Sequence, residues 1–219
     1  LNLRHGTPVG TVNYSPGVLG LGFELNGSAY VDVTNADFNA YASGFTVAAV
    51  IRYAAYDNQA PSIVNFRDAA NNGGFTLENF YGESGSMWWA VNQSGVAGTY
   101  SSLKSTGWQL GRLYHVAATF DAATGTMALY RDGVLVASTN GLPHTSMAAV
   151  SNPTFQIGHN IVATSFYWRG LIDDVRFYHR ALSAAEVDSL AFADRRATLV
   201  FPQFPDTLHR YQIGPLGDP

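Results

Sequence analysis

Two aspartates stand side by side in "GLIDDVRFYHRALSAAEVDSL", which runs from Gly170 to Leu190. Adjacent carboxylates in an apolar run can ligate a hard cation, accept backbone N–H groups or pair with arginine. Side chains alternate along a regular strand, so Asp173 is expected to share a face with Leu171, Val175 and Phe177, and Asp174 with Ile172, Arg176 and Tyr178. Asp173 then points to the more apolar side, where a carboxylate without a partner is strongly disfavoured. Two solutions stay open. Asp173 can cap backbone N–H groups while Asp174 pairs with an arginine across the sheet, or both can offer oxygen ligands to calcium.

Other chemistries find little support. The chain has no Cys, which excludes disulfides, thiolate catalysis and Cys-ligated zinc. Its 6 His are scattered without metal-ligand spacing. There is no G-x-S-x-G elbow, H-E-x-x-H pair, phosphate loop or dinucleotide glycine pattern. A formal charge of −4, with Lys104 the single lysine, argues against a nucleic-acid partner. No apolar run reaches the length of a membrane span. No signal peptide is visible and the chain opens on Leu1, so it reads as a piece of a longer or processed protein.

The elements that position these residues are short strands. Charged residues make up only 13% of 219, while Gly and aromatic residues are abundant. The runs 45–53, 75–80, 87–91, 113–120, 126–130, 134–138, 154–158 and 171–179 are rich in β-branched and aromatic residues and bounded by turn formers. Asp132-Gly133 marks a hairpin inside "LYRDGVLV". Many strands without intervening helices predict an all-β, antiparallel two-sheet sandwich or jelly roll. One helix follows the last strand. Ser183 and Glu186 form a capping box, and Leu182 can staple onto Val187. Residues 1–194 are read as one domain. Residues 195–219, which carry Leu199, Val200, Phe201 and Phe204 among prolines, are read as an extended arm that docks, or a linker, with protein partners as its use.

Several segments together resemble the laminin-G-like, concanavalin A-like lectin and glucanase superfamily. "GLIDDVRFYHRALSAAEVDSL" is similar to that family's closing strand and helix. "GVLGLGFELNGSAYVDV", "FTVAAVIRY", "GRLYHVAATFDAATGTMALYRDGVLVAS" and "QIGHN…FYWRGLIDDV" resemble its other motifs in the same order. The resemblance covers roughly residues 5–192 and implies a concanavalin A-like jelly roll. It further implies a structural calcium ion. The matching positions are Asp173 and Asp174, with Asn26 where the family often has aspartate, and Glu24 nearby in sequence. Glycosidases of this superfamily carry an E-x-D-x-(x)-E pattern, and none of Glu24, Glu78, Glu83 and Glu186 sits in one. The expectation is therefore a non-enzyme.

Recognition of a glycan needs flat aromatic faces for C–H surfaces and amides for hydroxyls. In "MWWAV", Trp89 sides with Met87 and Val91 toward a core. Trp88 sides with Ser86, Ala90 and Asn92, either as a ligand platform or as a plain sheet-face residue. The loop "HNIVATSFYWRG" offers Asn160, Tyr167, Trp168 and Arg169 as a ligand rim, unless one of its rings covers the core edge. The expected role is carbohydrate binding by an extracellular or surface domain. The competing expectation is an adhesion or virion-appendage assembly module working through protein contacts.

Overall fold

Alternation of apolar and polar side chains pairs the strands into layers. The structure, a computed structural model, describes residues 6–18, 20–33, 38–56, 59–67, 70–151 and 153–200, with side chains up to 193. Strands are numbered here in chain order. The first sheet runs β1 (Gly6–Val9), β4 (Tyr30–Val33), β13 (Thr154–Ile157), β6 (Ser62–Arg67), β7 (Phe75–Asn79), β8 (Ser86–Val91) and β9 (Ser101–Thr106). The second runs β12 (Val134–Asn140), β11 (Thr126–Arg131), β10 (Leu113–Asp121), β5 (Gly44–Tyr53), β14 (Arg169–Tyr178), β3 (Leu21–Asn26) and β2 (Asn13–Pro16). Every pairing between these strands is antiparallel. The architecture is the two-sheet jelly roll expected from the sequence.

The core lies between the sheets. Phe75, Leu77, Met87, Trp89 and Val91 from the first sheet meet Phe45, Val47, Ile51, Val116 and Phe120 from the second. Phe45 is a hub, 4.8 Å from Phe75, 5.5 Å from Phe120 and edge-on to Trp89 at 5.8 Å. The Trp89 indole N–H crosses the layer to donate to the Thr119 carbonyl at 3.0 Å. Removing an aromatic ring of this kind costs about 3–5 kcal/mol.

Turn chemistry follows the sequence. Asp132 and Gly133 both adopt positive φ, 54° and 82°, as a two-residue hairpin of matching twist requires. The helix α1 (Ala184–Val200) starts as read: Glu186 accepts the Ser183 backbone N–H at 2.8 Å, and the Ser183 hydroxyl accepts the Glu186 N–H at 3.3 Å. Leu182 and Val187 are buried together on Ala48, Ala117 and Tyr130, so the helix closes the outside of the second sheet. It runs to Val200, so residues 195–200, read as extended, continue the helix. Residues 201–219 of the expected arm lie outside the described residues. No described helix is long and apolar enough to cross a membrane.

Candidate functional site

The first sheet has a second face, turned away from the core, and the polar side chains at its centre are buried. Pairing register aligns them in rows. One row crosses six strands as Asp32, Gln156, Asn65, Thr76, Ala90 and Ser102. The next holds Ser62, Glu78, Trp88 and Lys104. On the other side Arg67 stands opposite Thr154. An outer sheet face is normally solvated, yet Ser62, Asn65, Arg67, Thr76, Glu78 and Gln156 are all buried. The loop after β13 contributes to their cover.

Asn160 ties that loop to the face. Its amide donates to Glu78 Oε2 at 2.7 Å and to the Ala60 carbonyl at 3.1 Å, and its Oδ1 accepts from Asn65 at 3.3 Å. Glu78 Oε2 also accepts from Thr76 at 2.7 Å and Ser62 at 3.1 Å. Burial raises the Glu78 carboxyl above its ordinary pKa, although Arg67 and the two hydroxyls pull the other way. Toward β4, Gln156 donates to Asp32 at 2.8 Å and thereby presents its carbonyl to His159 Nδ1, also at 2.8 Å. The His159 ring packs against Tyr30 at 4.7 Å and Tyr167 at 4.4 Å, and those two rings lie 6.0 Å from each other. Burial lowers the His159 pKa, offset in part by the Ala163 carbonyl and Asp32.

Aromatic rings flank the polar rows. Trp88 is partly exposed and meets Tyr100 edge-on at 5.3 Å and Phe80 at 5.9 Å. Tyr100 lies over the Arg67 guanidinium at 4.8 Å, and Lys104 lies over Phe80 at 4.6 Å. Hydrogen-bonding groups in a floor, with half-exposed rings beside them, suit a ligand that offers hydroxyls on one edge and C–H faces on the other.

Of the predicted ligand residues, Trp88 and Asn160 stand on this face, and Tyr167 packs at its β4 end against Tyr30 and His159, four strand places from Trp88. The other three do not. Trp168 is fully buried at 0% exposure, 4.3 Å from Tyr53, so it is the ring that seals the core edge. Arg169 begins β14 in the second sheet, opposite Asn26, away from Trp88. Asn92 is buried and holds the following turn, its Oδ1 accepting from the Ser94 and Gly95 N–H groups and its amide donating to Val96. Asn65, Arg67, Thr76, Glu78, Gln156 and His159 were not anticipated. The available signal was the alternation of Asn65 and Arg67 in "SIVNFR", Thr76 and Glu78 in "FTLEN", and Thr154 and Gln156 in "TFQI", with a bulge between Ser62 and Val64 interrupting the first. That pattern normally means a solvated face, and burial of the face is a tertiary fact.

The four expected calcium ligands do not share a site. Asn26 pairs with Arg169, four residues along β14 from Asp173, a separation of about 13 Å at the rise of a strand. Two oxygens on one calcium can be only about 5 Å apart. Each residue also has protein partners. Glu24 accepts from Arg52 at 2.8 Å and Ser15 at 2.7 Å, and Asn26 accepts from Ser28. Asp174 takes a bidentate pair with Arg176, on its own strand rather than across the sheet. Asp173 accepts the Val18 and Asp174 N–H groups at 2.6 and 2.9 Å. A bulge between Asp173 and Arg176, with Asp174 at φ 50°, inserts an extra residue, so the simple alternation fails there. Ile172, Val175 and Phe177 all reach the core, while Asp173 packs beside Leu171 against Gly22. Among the described residues no group of three or more His, Asp or Glu could hold a metal ion.

Residues 25–188 match the model of the concanavalin A-like lectin/glucanases superfamily. Among solved structures, the chain is similar to domain 4 of AbnA, a GH43 extracellular arabinanase from Geobacillus stearothermophilus, in complex with arabinotriose. That likeness has 21% identity and TM-score 0.66 over 85% of this chain and 87% of that one. It is also similar to the binding domain of botulinum neurotoxin DC in complex with rat synaptotagmin II, with 15% identity and TM-score 0.61 over 87% of this chain and 47% of that one. The serotype G binding domain of botulinum neurotoxin gives 17% identity and TM-score 0.63 over 88% and 47%. The chain thus spans about half the length of those toxin domains. No curated protein matches it.

Proposed function

Because the chain belongs to the concanavalin A-like lectin/glucanases superfamily, we propose that it is a non-catalytic carbohydrate-recognition domain whose ligand lies on the outer face of the first sheet. One observation carries this reading. Asn65, Thr76, Glu78 and Asn160 form a buried polar floor beside the half-exposed rings of Trp88 and Tyr100. The arabinotriose complex of the similar arabinanase domain supports it by analogy. A glycosidase needs two carboxyl groups about 5–9.5 Å apart. Glu78 and Asp32 lie on strands three places apart in the sheet, about 14 Å at the usual strand spacing. A secreted or surface context fits this reading, as for the similar domain of an extracellular arabinanase.

A second reading, protein contact, has its own observation. Leu113, Val134 and Leu135 are exposed at one end of the second sheet, where Arg112 pairs with Asp132. The botulinum binding domain in complex with synaptotagmin has the same fold. A panel of neutral and acidic oligosaccharides, with arabinotriose included, separates the two. Selective binding that weakens in Trp88→Ala supports carbohydrate recognition. No binding across the panel refutes it.

A further inference from the structure

The Arg67 side chain is buried at 2% exposure on the proposed binding face. Among the described residues it pairs with Glu78, whose Oε2 lies 3.7 Å from Nη2, too long for a hydrogen bond. Both Nε and Nη2 are buried without a hydrogen-bond partner. These two nitrogens form one edge of the guanidinium, and their N–H groups point the same way. That edge matches the two oxygens of a carboxylate in a bidentate pair. Leaving such donors dry and unmet is costly, so an acceptor is expected to occupy the edge. The Glu78 carboxylate is already held by Ser62, Thr76 and Asn160 through the same oxygen that faces Arg67. It therefore cannot swing to close the pair without releasing three donors.

We propose that Arg67 is a carboxylate receptor, and that the glycan taken by this face is acidic, carrying a uronic or nonulosonic acid. This rests on the carbohydrate reading and narrows its ligand class. Tyr100 covers the flat face of the guanidinium and Trp88 stands against Tyr100, so a sugar ring bound at Trp88 would bring its carboxylate in from the Tyr100 side. The loop from Gln93 to Tyr100 carries Gly95 and Gly98 at positive φ, and the Tyr100 hydroxyl donates to Asn71 Oδ1, so a ligand that reaches Arg67 from this side displaces Tyr100 from that bond.

The test uses the wild-type chain and matched ligands. Glucuronate- and galacturonate-containing oligosaccharides and sialyllactose are titrated beside their carboxyl-reduced forms and a polyglutamate peptide. Loss of one charge-assisted bidentate pair is expected to weaken binding by roughly ten- to a hundred-fold on carboxyl reduction. The responding acid, uronic or nonulosonic, names the source of the carboxylate. The Arg67 Nε–H resonance should shift with the acidic ligand and not with its reduced form, a readout that needs no variant. Arg67→Lys should keep the fold and lose the preference for acid. If reduced glycans bind as tightly and the Nε–H signal stays in place, the carboxylate receptor is overturned and the carbohydrate reading stands. If no glycan binds, or polyglutamate alone does, both are overturned.

Discussion

Asp173 Oδ2 accepts the backbone N–H of Val18 at 2.6 Å, joining residues 155 positions apart. The same carboxylate accepts the Asp174 N–H at 2.9 Å through its other oxygen. A side chain added at Gly17 would run into this carboxylate, and Gly17 also closes the turn by donating to the Gly20 carbonyl at 3.0 Å. Asp173 therefore holds the opening segment onto the closing strand. Asp173→Ala leaves two N–H groups without their acceptor and should cost about 1–3 kcal/mol. Each kcal/mol corresponds to roughly 2–4 °C in Tm at this size. Asp173→Asn keeps one carbonyl oxygen and should lose less. A thermal melt of Asp173→Ala indistinguishable from wild type would remove this role.

Calcium is expected to leave the melt unchanged. A cation bound by the folded state alone would raise Tm. Of the four expected ligands, Glu24 is held by Arg52 and Asp174 by Arg176, and Asn26 is remote from Asp173 along the strands. Melts of metal-stripped protein with millimolar calcium or with EDTA should superimpose. A calcium-dependent rise in Tm, lost in Asp173→Ala, would restore the ion to this edge.

Much of the fold could be read from local chemistry. Alternating apolar runs, the Asp132-Gly133 turn and the Ser183–Glu186 box each act within a few residues, and each appears as expected. The site was harder because its parts meet only through register. Asn65, Thr76 and Gln156 share a row though they come from three distant segments. Trp88 and Trp89 were separable by alternation. Trp168 was not, because it sits just before β14, where no alternation yet applies. The bulge at Asp174 is likewise invisible to a rule that assumes a regular strand.

Glu78 should make stability depend on pH in a defined direction. Burial raises its folded pKa above the ordinary value. The folded state then holds a proton that the unfolded state has released, so this contribution to stability is present at low pH and lost as pH rises through the folded pKa. Glu78→Gln removes that titration. Its Tm relative to wild type should be higher at pH 7 than at pH 4.5. An equal difference at both pH values would contradict a raised carboxyl.

The helix cap gives a prediction on the outside of the second sheet. Ser183→Ala deletes the hydroxyl that accepts the Glu186 N–H and donates to its carboxylate at 2.9 Å. Caps of this kind are worth about 1 kcal/mol. The Glu186 carboxyl, lowered to about 2 chiefly by Arg180 and then by Ser183, should rise in the variant. Carboxyl-detected NMR titration reads that shift. An unmoved Glu186 would mean that Arg180 and the residue-183 backbone N–H set it without the hydroxyl.

The most direct test of the binding face compares affinity for one glycan identified in the panel across wild type, Trp88→Ala and Arg169→Ala. Trp88 flanks the buried polar rows of the first sheet, whereas Arg169 lies on the second sheet opposite Asn26. Removal of an aromatic anchor costs roughly ten-fold or more in affinity. The account predicts such a loss for Trp88→Ala with Arg169→Ala near wild type. Weakened binding in Arg169→Ala with Trp88→Ala unaffected would move the ligand off this face and contradict it.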